Sequence, residues 1–338
     1  MLFAGELNTG SQSISLSYTN GAISTLDGFS IVGNPYPSSI NWDTSSGWTK
    51  NNVDNAIYFW NQTGYLSYVN GAGTGGKYIG PGQGFFVHAT AATTLQMTNA
   101  VRTHASASTF RSNLDNMLKL KIENDSMSDE AIIRFIPDAS LNFDGNYDAY
   151  KLFGYKPYPQ LYSLTENGVL ASINSLPLNN DSTKVKLNLN IGTSGNYKIT
   201  ANGIESFNYT NYIALEDLKT NTTQILTTNP VYSFYGDTAD KANRFIVWFY
   251  EKPNAIADPP QEMVDIFSNN NSVIVDLKGM NHTNSEISIL NLLGQTVYKT
   301  KITSNHQSSY NTNLSAGMYI VRLFVNGQWY DKKLYLDE

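Results

Sequence analysis

Apolar and polar residues alternate in short runs along most of the chain, and each run is bounded by Gly, Asn, Ser or Pro. The alternation is plainest from Glu262 onward, at Val273, Val275 and Leu277, at Ile287 and Ile289, at Val297, and at Tyr319, Val321, Leu323 and Val325. A period of two with turn punctuation predicts short antiparallel strands. Leu293-Gly294-Gln295 and Asn326-Gly327 each separate two such runs, so both predict hairpins. The Asn-Gly pair tolerates positive φ at both central turn positions.

The same pattern runs upstream. Strands are predicted at Ser11–Tyr18, Phe29–Val32, Ala56–Trp60 and Gly84–Ala89 within residues 1–103. Eight more fall within residues 113–252: Met117–Ile122, Glu130–Phe135, Leu161–Leu164, Lys184–Leu189, Gly195–Ala201, Ile213–Asp217, Val231–Phe234 and Arg244–Tyr250. No stretch carries the 3.6-residue period of a long helix. The expected fold is therefore all-β, a series of antiparallel β-sandwich modules. Residues 253–261 hold three prolines and no alternation, which predicts a semi-rigid linker ahead of a last module at 262–338. The earlier boundary, within Thr103–Asn113, is softer, and the sequence leaves open whether the first two modules pack as one body.

Composition narrows the function. Only 15% of residues are charged, the net charge is −6, and the longest basic run is Lys332-Lys333, which argues against nucleic acid as a partner. Cysteine is absent, so disulfides, thiolate metal sites and a cysteine nucleophile are excluded. No apolar run approaches the ~20 residues of a membrane helix, so membrane insertion is not expected. The opening residues lack a basic segment followed by an apolar one and do not read as a signal peptide. The expectation is a C-terminal portion of a longer precursor, or a mature or recombinant form.

Several clusters invite a chemical reading. Trp42, Trp48 and Trp60 lie among Gly- and Asn-rich turns with Tyr58, Tyr65 and Tyr68, and flat rings in such a setting either stack on sugar faces or pack in a core. Asp144 and Asp148 flank Gly145 and Asn146, oxygen donors of the kind calcium takes, but the EF-hand order is missing. The competing reading makes Asp144 a turn cap and Asp148 a backbone acceptor or a partner of Lys151 or Arg134. The glycines before Lys77 do not form a phosphate loop, because Tyr-Ile-Gly-Pro follows the lysine. His88, His104, His282 and His306 are scattered, there is no G-x-S-x-G elbow, and no parallel sheet is expected on which to mount one. No enzyme and no cofactor are predicted.

The hairpin ISILNLLGQTVY, the strand start Gly317-Met318-Tyr319 and the final Lys332-Lys333-Leu334-Tyr335-Leu336 together resemble the C-terminal sorting domain of type IX secretion cargo in Bacteroidetes. The resemblance implies an immunoglobulin-like fold, and a sorting signal built on Gly294, Gly317, Tyr319, Lys332, Lys333 and Leu334. It further implies the translocon and attachment machinery as partners, and delivery through the periplasm to the outer-membrane surface or beyond. One departure is visible: Ile266-Phe267-Ser268-Asn269-Asn270-Asn271 stands where many members have a Pro-Asn-Pro turn. Upstream, Gly33-Asn34-Pro35-Tyr36-Pro37-Ser38 and Gly82-Gln83-Gly84-Phe85-Phe86 resemble a module found before such domains in large secreted surface proteins. Asp125-Ser126-Met127 and Asp237-Thr238-Ala239, with Asp181-Ser182-Thr183 a weaker match, resemble O-glycosylation acceptors of the same bacteria, at Ser126 and Thr238. The function expected is that of a non-enzymatic spacer or adhesin. The alternative is a polysaccharide-binding part of a secreted hydrolase whose catalytic domain lies upstream.

Overall fold

A computed structural model describes residues 6–19, 21, 26–105, 114–178, 182–207, 212–250, 264–269, 271–277, 282, 285–326 and 328–337. The chain is all-β, and its described helical turns are short 3-10 segments at Asn99–Val101 and Ile204–Ser206. Two compact units divide it, Met1–Lys252 and Pro253–Glu338. The predicted linker at 253–261 and most of the predicted boundary at 103–113 lie outside the described residues.

In the first unit, the strands Phe29–Gly33, Gly84–Ala89, Val53–Trp60 and Tyr65–Tyr68 form a four-stranded antiparallel sheet in that order. One face holds Val32, Phe85, Val87, Ile57 and Phe59 against Tyr36, Ile40, Trp42 and Met97 in an apolar core. The two motif-like segments clasp each other at its edge. Asn34 is buried, its side-chain NH2 is shared among the carbonyls of Ser38, Ile79 and Gly80, and its backbone N–H donates to Gln83 O at 3.0 Å. Prolines on either side of Tyr36 hold φ near one value, so the turn meets these carbonyls already shaped.

Most later strands of this unit join one large sheet around a second core, formed by Leu118, Leu120, Ile133, Leu187, Ile199, Val247 and their neighbours. Met117–Glu123 alternates buried and half-buried along its whole length, as the period-two rule requires. One pairing differs from expectation, because Ser128–Ile136 and Leu170–Pro177 run parallel. The long connection from 137 to 159 carries the chain past a neighbouring place in the sheet to Gln160–Leu164, and the hairpin back fills that place in the parallel sense.

A third apolar cluster joins the two parts, with Ala56, Tyr58, Val69 and Ala72 from the first and Ile132, Ala149, Leu152 and Ile173 from the second. The described residues up to 105 and those within 114–250 are thus packed together rather than strung apart.

In the second unit, a three-stranded sheet (Asp265–Asn269, Ser272–Asp276, Ser308–Asn311) and a four-stranded sheet share one core. The four-stranded order is Thr296–Lys301, Glu286–Leu290, Gly317–Val325, Gln328–Leu336. Val273 and Val275 from one sheet meet Ile287, Ile289, Val321, Leu323 and Leu336 from the other.

Arg244 and Asp217 are 4% and 0% exposed and form a two-toothed ion pair, with Nε and Nη2 at 3.0 and 2.7 Å from the carboxylate oxygens. Removing one member of a buried pair strands the other's charge. Arg244→Ala is therefore expected to destabilise the first unit by about 3–5 kcal/mol. Urea unfolding of the whole chain, followed by amide exchange in peptides from 114–250, measures it; a loss below about 1 kcal/mol would contradict a buried pair.

Candidate functional site

The final strand pairs with Gly317–Val325 over nine residue pairs and is an edge of its sheet. Exposure, rather than strict alternation, divides its side chains, since Lys332 shares a face with Leu334 and Leu336. Leu334 and Leu336 enter the core, whereas Lys332 and Lys333 are exposed, Lys332 lying 4.0 Å from Asp265. An edge that carries exposed lysines resists casual pairing, and an edge strand is also the place where an added strand can dock. Tyr319 is half-buried and its hydroxyl donates to Ser315 O at 2.9 Å. Gly317 has ordinary room for a Cβ, so sterics alone do not require glycine there. Gly294 does need its freedom, at φ +80° in a turn where Asn291 Oδ1 accepts from the N–H groups of Leu293 and Gln295. This turn presents Leu292 and Leu293 at 64% and 84% exposure.

The three tryptophans are not brought together. Trp42 is buried, its indole N–H donates to Asn55 O at 2.7 Å, and Trp48 packs edge-on against it at 4.7 Å. The Lys50 ammonium stands 4.0 Å above the Trp42 ring, and burial lowers its pKa to about 8. Trp42 therefore offers no free ring face. Trp60 points from the opposite face of the four-stranded sheet and is exposed beside Tyr65.

The calcium reading of Asp144 and Asp148 is not supported by where their oxygens go. Asp144 Oδ1 accepts from Asn146, while the buried Asp148 accepts from Ser175 N at 2.6 Å and Asp144 N at 2.7 Å. Among the described residues no group of three or more His, Cys, Asp or Glu side chains is arranged to hold a metal. Ser126 and Thr238 are both exposed, on tight turns ordered by Asn124 Oδ1 and Asp237 Oδ1. Asp181 lies outside the described residues.

Two buried polar groupings escaped the sequence. His88 Nδ1 lies 2.6 Å from Asp54 Oδ2, walled by Phe29 and Tyr150 with ring centroids at 4.8 and 4.7 Å from the imidazole. Arg134 is buried and donates to Ser175 Oγ, Asn70 O and Tyr147 O at 2.8, 3.2 and 2.8 Å. The partners are 34 residues apart in the first case and up to 64 in the second, so no local spacing announces them.

Residues 63–249, more than half of the chain, match the family described as a domain of unknown function, DUF8693. The chain belongs to the DUF8693 family. Its match begins in the turn before Tyr65–Tyr68 and runs through both parts of the first unit. Residues 268–337 match a second family, the secretion system C-terminal sorting domain. This DUF8693 chain is accordingly a type IX secretion cargo, whose tail implies contact with the secretion machinery and release to the cell surface or the extracellular space. No curated protein matches it. Two solved structures are distantly similar. One is a beta-glucuronidase of Faecalibacterium prausnitzii, at 9% identity and a TM-score of 0.18, covering 99% of this chain and 47% of that one. The other is a biofilm associated protein, BSP domain, at 8% identity and a TM-score of 0.17, covering 97% and 63%. The chain spans less than two thirds of either, and likeness at this level carries no argument.

Within the DUF8693 segment, burial raises the Asp148 pKa from 3.8 to about 6 against the pull of its two backbone donors. Between those values the native state keeps a proton that the unfolded chain has released, so the carboxyl's contribution to stability falls as pH rises from about 4 to 6. The stability of the wild type relative to Asp148→Asn should drop across that window, by roughly 2–3 kcal/mol at most. Thermal unfolding of both proteins between pH 4 and 7 checks it, and a constant difference would refute the shift.

Proposed function

We propose that this chain is a non-enzymatic, surface-delivered portion of a type IX cargo of a Bacteroidetes-type cell, in which the first unit is spacer and adhesive structure and the second is the address. The observation that carries the reading is the sorting-domain match at 268–337, with its last strand at the edge of its sheet. Support for a structural first unit comes from its buried polar groups. Asp54–His88, Arg134 with Tyr147 and Ser175, and Arg244–Asp217 each join strands or turns distant in sequence. The translocon would grasp the terminal edge by strand addition, with Lys332 and Lys333 setting its charge.

A deletion after Asp331 would test this poorly, because it removes Leu334 and Leu336 from the core and unfolds the domain it is meant to probe. Charge reversal leaves those contacts in place. Residues 262–338 fused behind a signal peptide and a fluorescent protein are expected to reach the surface of a type IX host. The same fusion with Lys332→Glu and Lys333→Glu should remain in the periplasm with unchanged circular dichroism. Failure of the unaltered fusion would overturn the address, and equal delivery by both would overturn the role of the lysines.

A further inference from the structure

The four-stranded sheet of the first unit has one face in its own core and the other turned toward the second part of that unit. On this second face Phe29, His88 and Tyr58 are covered, Tyr150 lying 5.7 Å from Phe29 and 4.7 Å from His88 by ring centroids. The cover stops short of the sheet's end. Ile31 and Trp60, on the same face, remain 68% and 48% exposed. Between them the half-buried Phe86 and Tyr65 complete a row, since Ile31 opposes Phe86, Tyr65 opposes Trp60, and the Tyr65 ring lies 5.4 Å from Phe86 and 5.0 Å from Trp60.

The row is held stiffly. Asn61 Oδ1 accepts from Thr63 N and Gly64 N, and Gln62 is held at φ 80°, unusual for a residue with a side chain. The turn is clamped from behind, because Tyr155 N donates to Thr63 O at 2.7 Å and a Cβ on Gly154 would come within 2.5 Å of that oxygen. Trp60 and Tyr65 thus present their rings with little freedom to lose on binding.

We infer that this end of the sheet is a stacking platform for a neutral polysaccharide. The inference rests on the adhesive reading of the first unit and names its ligand class. Size argues against a protein partner: a fully buried aromatic contributes about 150–250 Å², so four side chains already partly covered supply well under the ~800 Å² per partner of a stable interface. Charge argues against a nucleic acid, which stacks on rings only along a cationic groove. Asn61, Gln62, Thr63, Gly33 and Gly84 at this end are uncharged, and the recess beside Tyr65 carries one charge of each sign, Glu130 and Lys151, which makes no cationic groove in a chain of net charge −6. Flat rings with an uncharged, amide-bearing rim suit the apolar face of a sugar and its ring of hydroxyls.

Affinity electrophoresis and titration calorimetry of the full chain against mixed-linkage β-glucan, xylan, galactomannan and soluble starch test the inference. At least one should bind, and Trp60→Ala should weaken that binding by about tenfold or more while Trp60→Phe keeps part of it. Unfolding curves of the variants control for damage to the sheet, and Ile31→Gln provides a second, independent lesion. No binding to any of the four, or equal binding by wild type and Trp60→Ala, overturns the platform. So does a dimer that Trp60→Ala dissociates, which would give the face to a second copy of the chain. Surface delivery scored in the same variants separates this failure from failure of the secretion reading, since Trp60 lies outside the sorting domain.

Discussion

A buried guanidinium has five N–H groups to satisfy, and the first unit is arranged around one. Arg134 takes its partners from three places: the carbonyl of Asn70 after one hairpin, the carbonyl of Tyr147 in the acidic turn, and the hydroxyl of Ser175 on the parallel-paired strand. Burial pushes its pKa down while Asp148 pulls it back up, so the charge is tolerated only with its surroundings complete. An unpaired buried charge costs several kcal/mol, and these segments must therefore be in place together. The apolar cluster of Ala56, Tyr58, Ile132 and Ile173 surrounds this tie and makes one body of two parts. It also fixes how far the cover over the four-stranded sheet extends.

Where one face of a strand meets water, the pattern of the sequence is the pattern of the fold. Met117–Glu123 and Gly317–Val325 were legible for that reason, and so was the all-β class. Leu170–Pro177 was not, because six consecutive residues are buried and three of them, Ser172, Asn174 and Ser175, are polar. Ser172 is paired across the seam with Ser67, a residue 105 positions away, and Ser175 is paired with Arg134 and Tyr147 in its own part. A period-two signal needs a polar face, and burial on both sides erases it. The same erasure hid Asp54, whose histidine lies on another strand of the sheet, and it left Trp42 and Trp60 indistinguishable in sequence although they occupy opposite faces.

The motif-like segments show a different limit. Gly33–Ser38 and Gly82–Phe86 could be picked out as words, but their joint meaning is a contact: besides its local bonds to Ser38 and Tyr36, Asn34 donates its N–H to Gln83 O and its side-chain amide to the carbonyls of Ile79 and Gly80. A side-chain amide that replaces several missing strand contacts is costly to change, since each carbonyl left unmatched in the interior loses a hydrogen bond worth about 1 kcal/mol or more.

The second unit separates folding from recognition along a single strand. Inward residues Leu334 and Leu336 complete a core that closes only when this strand is added. The exposed Lys332 and Lys333 are not part of that core. Leu292 and Leu293 at the Gly294 turn are equally detached from it, and two adjacent exposed leucines on a rigid turn are hard to explain by folding. On the proposed secretion reading, stability would rest on one set of positions and delivery on the other. A receptor that read the core would see every folded β-domain alike, whereas one that reads an edge, two lysines and a leucine turn sees a surface that only a completed domain displays.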